Sequence, residues 1–454
     1  MALVDSRPHR LIVLCGLYVA QGVPWGFMLI TLPSYLAYNF QLGDDEIGQL
    51  KAIILIPWSF KLLWAPLMDT FTIRSMGRRR PWIIGSELLM ALSLLGFIGL
   101  SNPSEQLRFI LYMYFLHNCF ASLQDVCTDA LAVDVLPASE HGQTNGLMWG
   151  SKLVGKGIGA WGLSLVLNWG GLSACVVVQV ALLLAIMMLP LLILERKGEK
   201  RFPWSAGAAS SEVTDSVRNP REVLDSFKRA FSLLTTVMFF VFAVVQGVGN
   251  GVASVVTNTL YTQWVNPRWT DTDFSTVSGL YSTPLIIVGA VLGGFLADRY
   301  GGRVILCVGS GGYGLVTLLF AACPWLWDQF WFTSSYLLAS ETLNALSSVG
   351  YLAVAMRISW TRSAAIVFTT YMTLGNVTHV FGNWLAGPVR EFCMFGLELP
   401  VALQEASAEV VAANLTSYGY TFGFAGVITL LPLLLLFFVR PQQIDNARQQ
   451  DEPD

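Results

Sequence analysis

The chain has 454 residues, of which 54% are hydrophobic and only 13% charged, against roughly 25% charged in an ordinary soluble domain. A formal net charge of −3 excludes nucleic acid or any other strongly charged macromolecule as the main partner. The seven cysteines (Cys15, Cys119, Cys127, Cys175, Cys307, Cys323 and Cys393) lie mostly in apolar runs without metal-ligand spacing. That pattern excludes a disulfide framework and points to no metal and no cofactor.

A helix needs about 20 mostly apolar residues to cross the hydrocarbon core of a bilayer. The chain offers twelve such runs, at approximately 10–40, 46–70, 82–101, 107–135, 142–168, 172–194, 230–263, 274–297, 303–323, 329–356, 363–388 and 417–439. The first follows MALVDSRPHR and is too long for the core of a signal peptide. Several exceed the minimum, which implies tilt or ends that project into water. None shows the two-residue alternation of a membrane barrel. If both termini are cytoplasmic, the outer loops hold only Arg108, Arg268 and Arg390, while Lys51, Lys61, Lys152 and Lys156 lie within spans. Every other member of the 27 lysines and arginines then faces inward, as the positive-inside rule requires.

Residues 195–229 are polar and contain SAGAASSE, so they read as a cytoplasmic linker between an N-terminal half (1–194) and a C-terminal half (230–440), with a cytoplasmic tail at 441–454. Asn219 as N-cap and Pro220 at the first helical position predict a short surface helix at the end of that linker. The outer stretch 389–416 is acidic and reads as a loop with some helix. Its NLT at 414–416 fits a glycosylation acceptor, but it sits so close to the last span that coincidence is the simpler reading.

The two halves echo each other. YVAQGVPWG (18–26) and AVVQGVGNG (243–251) share Gln-Gly-Val followed two residues later by Gly. PLMDTFTIRSMGRRRPW and GGFLADRYGGRVIL each place an aspartate (Asp69, Asp298) at an inner helix end, then glycine and arginines. Two ordered echoes at nearly one offset indicate an internal repeat, and hence two pseudo-symmetric six-helix halves. Asp298 can pair with Arg299, Arg303 or a helix terminus to latch an inner gate, or be an ordinary helix-end ion pair, while Gly301 and Gly302 allow a tight turn.

GGFLADRYGGR resembles the cytoplasmic loop signature of the major facilitator superfamily, G-x-x-x-D-R-x-G-x-R. The first-half copy departs from it: Thr70 follows Asp69, and additional residues precede Gly77 and the run Arg78, Arg79, Arg80. A narrower resemblance, carried by SFKLLWAPLMD (59–69), GRRRPW (77–82) and QDVCTDALAVDVLP (124–137), is to the AmpG-like permease group. Its members include muropeptide permeases, acetyl-coenzyme A transporters and siderophore permeases. The muropeptide permeases are described with two additional helices, for which this chain offers no further runs of spanning length. The resemblance implies a twelve-helix secondary transporter with alternating access, working as a monomer in the bacterial inner membrane. An acetyl-coenzyme A carrier would instead sit in an internal eukaryotic membrane.

The chain places carboxylates where lipid makes them costly. Asp125 and Asp129 are four apart and share one face of the fourth expected helix. Asp134 lies near its inner end and reads as a structural cap. With about 1.5 Å of rise per residue, Asp125 is about 16 Å deep, Lys152 about 15 Å and Lys61 about 12 Å. The pairs Asp125–Lys152 and Asp129–Lys61 follow as expectations. They either staple the first half together or line a route and exchange partners during transport.

The resemblance implies that the first, fourth, seventh and tenth helices line the cavity. They carry Gln21, Asp125 with Asp129, Gln246, and Glu341 with Asn344. Glu341, about 18 Å from the outer end of its helix, is either the proton carrier or a protonated acid bonded inside the packing. Asn376, His379 and Asn383 share a face, and His379 either relays protons or bonds a neighbouring asparagine. Trp25 either packs or stacks on a solute ring. With no P-loop and no dinucleotide-binding G-x-G-x-x-G, coupling to H+ is favoured over ATP hydrolysis. The expected activity is proton-coupled uptake of a bulky polar solute, muropeptide-like or siderophore-like. The rival readings are an acetyl-coenzyme A or other anionic metabolite carrier, a non-transporting sensor or scaffold, and a polytopic transferase.

Overall fold

A computed structural model describes residues 2–71, 74–100, 102–137, 140–202, 204–205, 228, 231–359, 364–399, 407–440 and 443. Among them the chain is helical without strands, apart from an isolated bridge between Ala2 and Leu194. Helices follow from the sequence, because a lipid-embedded segment must satisfy its backbone groups internally. Six of the helical segments are long and apolar enough to cross a membrane: Arg7–Phe40, Gln143–Leu192, Leu234–Trp264, Asp271–Tyr300, Gly302–Ala322 and Ala408–Phe438. Gln143–Leu192 turns back at Gly171, whose φ of 69° only glycine adopts without strain. The long helix Leu107–Val135 falls outside this apolar set; it carries Asp125, Asp129 and Asp134.

The chain divides into two compact units. The first comprises Met1–Leu32 and Ile53–Ser216; the second comprises Pro33–Ala52 and Val217–Asp454. Residues 33–52 therefore pack with the later part of the chain, although the span count groups them with the first half. The helix expected from Asn219 lies outside the described residues except for Lys228, as does the tail beyond 440 except for Gln443.

Both units bring helices together through the echoed glycines. A side chain at Gly22 or Gly26 would meet the carbonyls of Lys152 and Lys156, and one at Gly155 would lie 3.0 Å from the Val19 carbonyl. In the second unit a Cβ at Gly247 would meet Thr378, and one at Gly251 would lie 2.8 Å from the Asn383 amide. The Gln-Gly-Val echo is thus a close-approach surface used twice, as in lipid-embedded packing by small residues.

The GRRRPW loop is locked by a carboxylate at a helix start. Glu195 accepts from the backbone N–H groups of Arg78 (3.0 Å), Arg79 (2.8 Å) and Arg80 (2.6 Å), which open the helix Arg80–Leu95. Gly77 has φ 100°, and a Cβ there would stand 2.8 Å from the Glu195 carboxyl carbon. The Arg80 guanidinium, 0% exposed, donates to the carbonyls of Pro190 (2.7 Å) and Met76 (2.8 Å) and lies 3.8 Å from Glu199. It thereby caps the end of the helix Leu163–Leu192. Burial pushes the Glu195 carboxyl up from its ordinary range, and the three N–H groups and Arg80 act against that. Arg79 Nε pairs with Asp134 at 3.0 Å, giving Asp134 the structural role expected of it. The Asp69 side chain lies outside what is described.

The second-half loop is built differently. Gly301 takes φ 89° and turns the chain, but Asp298 is exposed and forms no ion pair among the described residues. Arg303 instead donates to the Val439 carbonyl at 2.8 Å, and Arg299 lies over the Tyr300 ring. A cation gains more at the open carbonyl end of a helix than beside an exposed, hydrated carboxylate.

Glu195→Ala should lower stability by about 3 kcal/mol, because it orphans three helix-start N–H groups and removes a counter-charge from Arg80. Thermal unfolding in detergent, with Glu391→Ala as an exposed control, measures this. A loss within about 0.5 kcal/mol, the range of an ordinary surface substitution, would contradict it.

Candidate functional site

In the first unit, four structural elements converge on Asp125, which is 3% exposed on the helix Leu107–Val135. The chain from Asp44 changes to a 3-10 turn at Ile56–Phe60, holding Pro57, and resumes as the helix Lys61–Thr70. That break delivers Trp58 and Lys61 to the same place. Lys61 Nζ contacts Asp125 Oδ2 directly, and Lys152 Nζ lies 3.3 Å from Asp125 Oδ1. Two ammonium groups thus share one carboxylate.

Lys61 was expected on Asp129 but sits on Asp125. Asp125, 3% exposed, is the more enclosed of the two carboxylates and draws both cations. Asp129 accepts from the Tyr18 hydroxyl instead.

Aromatic rings wall the pair of lysines. Lys152 Nζ, on a residue 5% exposed, stands 4.4 Å from the Trp25 ring centroid, 4.5 Å from Trp58, 5.6 Å from Trp149 and 5.7 Å from Tyr18. Lys61 Nζ is 4.8 Å from Trp58. The Trp25 and Trp58 rings are themselves 4.8 Å apart and tilted 46°. Ring faces attract the ammonium groups and so soften their desolvation. Trp58 Nε1 donates to Asn118 at 3.0 Å, which fixes the ring. Pro24 within Arg7–Gly26 and the π-helical turn Phe27–Thr31 loosen the first helix on either side of Trp25.

Gln124, the chain neighbour of Asp125, joins a buried polar network. Gln21 Nε2 donates to Gln124 at 2.5 Å, and Gln124 Nε2 donates to Glu87 Oε1 at 2.9 Å. Sequence reading passes over Glu87, although it is the lone carboxylate of the run 82–101.

The expected site residues of the second unit sit in a different setting. Gln246 and Gly247 form a break between the helices Leu234–Val245 and Val248–Thr259, at the point that echoes Gln21. Glu341, Asn344 and His379 are each half-buried. They are not joined in one cluster: Asn383 accepts from Ser254 at 3.3 Å, and the His379 ring forms no hydrogen bond among the described residues.

That unit does hold a buried polar cluster near the end of the helix Ala364–Cys393. Arg390, expected in an outer loop, is 4% exposed; its Nε lies 3.3 Å from Asp44, its Nη1 donates to Ser417 at 2.6 Å, and its Nη2 donates to Asn414. The guanidinium stacks on Tyr418 at 3.7 Å, and Tyr418 and Thr259 both donate to Asp44. Asn414 of NLT is thus a buried partner of Arg390, inaccessible to a glycan. A cavity of about 460 Å³ opens beside this cluster, lined in part by Asp45, Trp264, Glu391 and Met394.

The sequence profile of the Major Facilitator Superfamily matches residues 14–383. The chain is 25% identical to the anhydromuropeptide permease of Escherichia coli K12, over 99% of this chain and 83% of that protein. It is likewise 25% identical to the putative transporter AmpG 4 of Rickettsia conorii, over 65% and 69% of the two chains. Among solved structures, a bacterial homologue of the human lysosomal transporter Spinster superposes with a TM-score of 0.69 at 14% identity, covering 99% of both chains. The nucleoside transporter NupG gives 0.67 at 14% identity, covering 96% of this chain and 99% of that one. These likenesses concern the fold.

Removing the shared carboxylate should be costlier than removing one of its cations. Asp125→Ala leaves two buried ammonium groups uncompensated and should cost about 3–5 kcal/mol, whereas Lys61→Met, which leaves the Asp125–Lys152 pair, should cost less than half of that. Thermal unfolding of both variants in detergent checks the order. Equal losses would mean that the cations are not competing for one carboxylate.

Proposed function

The chain belongs to the major facilitator superfamily, and on that footing we propose that it takes up a bulky polar solute of the muropeptide kind together with protons. It is an integral protein of the bacterial inner membrane, with bacterial permeases among the relatives aligned over most of its length. We read it as twelve spans in two six-helix halves, with both termini cytoplasmic, a reading supported by the distribution of arginine and lysine. The solute then passes by alternating access in a single copy of the chain.

The observation that carries the substrate reading is the Lys61–Asp125–Lys152 centre walled by Trp25 and Trp58. Indole faces suit the apolar faces of sugar rings. Two ammonium groups sharing one carboxylate can turn to an acidic group of the cargo when it arrives. A sugar–peptide conjugate with free carboxylates offers both, and the Escherichia coli relative is named for such a solute. The excess of cations over carboxylates at Asp125 equally favours the second reading, a carrier of an anionic metabolite such as acetyl-coenzyme A. Gln246, Glu341, Asn344 and His379 are proposed to complete the route from the other half, and Asp298 with Arg299 and Arg303 the inner gate.

Residues 33–52 support the alternating step. They are held within the second unit by Asp44 on Arg390, by Lys51 Nζ on the Ser254 carbonyl (2.7 Å) and by Gln263 Nε2 on the carbonyls of Ala37 and Leu42 (2.9 Å each). The polar grip of Asp44, Lys51 and Gln263 is the outer latch in our reading, one that transport must release.

Proteoliposome uptake of an anhydromuropeptide, a ferric siderophore and acetyl-coenzyme A, each with and without an inward proton gradient, tests the proposal. Gradient-driven uptake of the anhydromuropeptide is expected. Trp25→Ala should raise its KM about tenfold, for about 1–1.5 kcal/mol of lost ring contact. Uptake of acetyl-coenzyme A alone would favour the second reading, and uptake indifferent to the gradient would remove the proton from the account.

A further inference from the structure

Glu87 is 0% exposed at the middle of the helix Arg80–Leu95, yet it has no ion pair among the described residues. Its Oε1 accepts one hydrogen bond, from the Gln124 amide at 2.9 Å, and its Oε2 has no partner. The groups that face it are all uncharged or already engaged. On Leu107–Val135 these are Gln124 and His117, whose Nδ1 is spent on the Met90 carbonyl (3.1 Å) and Ser93 (3.2 Å) and whose Nε2 has no hydrogen-bond partner among the described residues. On Arg7–Gly26 it is Gln21, with Tyr18 committed to Asp129. Leu163–Leu192, which packs along the helix Arg80–Leu95, has no acidic or basic residue. On its own helix Arg80 is taken up by backbone carbonyls and Glu199.

An ionised carboxylate with a single neutral donor is among the least tolerable groups in a membrane interior, whereas the neutral acid costs only an unpaired hydroxyl. If the position served packing alone, glutamine would fill it and offer the same oxygen to Gln124. A carboxyl differs from that amide in being able to gain and lose a proton.

We propose that Glu87 is a proton-binding site of the first unit, filled when its surroundings are dry and emptied when the transport cycle admits water. Amide side chains do not conduct protons, so the link to the solute is one of orientation. An ionised Glu87 pulls harder on the Gln124 amide, which shifts the oxygen that holds Gln21, one turn before Trp25 on the same helix. Gln124 is also the chain neighbour of Asp125. Solute at Asp125 and proton at Glu87 therefore influence each other reciprocally. This rests on the proton-coupled reading above and names the site that would serve it.

The test joins infrared spectroscopy of the reconstituted protein to transport of an anhydromuropeptide. The wild type should show the carbonyl stretch of a buried protonated carboxyl near neutral pH. Glu87→Gln should lose it, and Glu87→Asp should retain one. In proteoliposomes, the ratio of gradient-driven accumulation to gradient-free exchange should fall at least about tenfold in Glu87→Gln and recover in Glu87→Asp. A spectrum unchanged by Glu87→Gln overturns the proposal whatever transport does, and so does an unchanged ratio. If wild-type transport ignores the gradient while the band still belongs to Glu87, the proton-coupled reading fails but the proton site stands.

Discussion

Burying Asp125 is the constraint around which the first unit is organised. A carboxylate at that depth is tolerated only if cations reach it, and cations are tolerated only if something softens their own loss of water. Lys61 and Lys152 supply the first, and the faces of Trp25 and Trp58 supply the second. Delivering them sets the local backbone. The 3-10 turn Ile56–Phe60 sets Trp58 and Lys61 side by side, and Gly22 and Gly26 let Arg7–Gly26 press onto the backbone at Lys152 and Lys156. The glycines of the first echo are thus part of the charge centre, although none of them touches Asp125.

The second unit uses the same close-approach surface for other ends. Gly247 and Gly251 meet Thr378, His379 and Asn383 where Gly22 and Gly26 meet Lys152 and Lys156. His379 and neutral amides there stand where the first unit has a lysine. The strong charges of the second unit gather instead at Arg390 and Asp44, far along the helix Ala364–Cys393. The repeat preserves packing but not charge: the Asp125 centre lies in one unit and the Arg390–Asp44 cluster in the other.

The helical membrane class was legible because hydropathy runs and loop arginines report on lipid directly. Asp125 and Lys152 could be matched by depth along two adjacent spans. Lys61 could not be assigned, since depth alone leaves both aspartates within reach and relative burial decides between them. Arg390 misled because its span runs on beyond the apolar residues as a helix, carrying a charged residue into a protein-lined site. Glu87 was silent because one carboxylate in an apolar run has no spacing to argue from; its meaning comes from burial of an Oε2 that has no hydrogen-bond partner among the described residues. The grouping of residues 33–52 with the second unit follows from long-range contacts that no local pattern encodes.

The central claim is that the Asp125 centre meets the solute and is more than a staple. Reversing its charges tests this most directly, by combining Asp125→Lys with Lys152→Asp and measuring both unfolding temperature and anhydromuropeptide uptake. The double variant should regain part of the stability lost by Asp125→Lys, because the 125–152 pair is restored while Lys61 is left without its carboxylate. Uptake should stay lost, because the ammonium group no longer faces Trp25 and Trp58 from position 152. Uptake restored together with stability would contradict it and leave the two lysines and their carboxylate as structural cement.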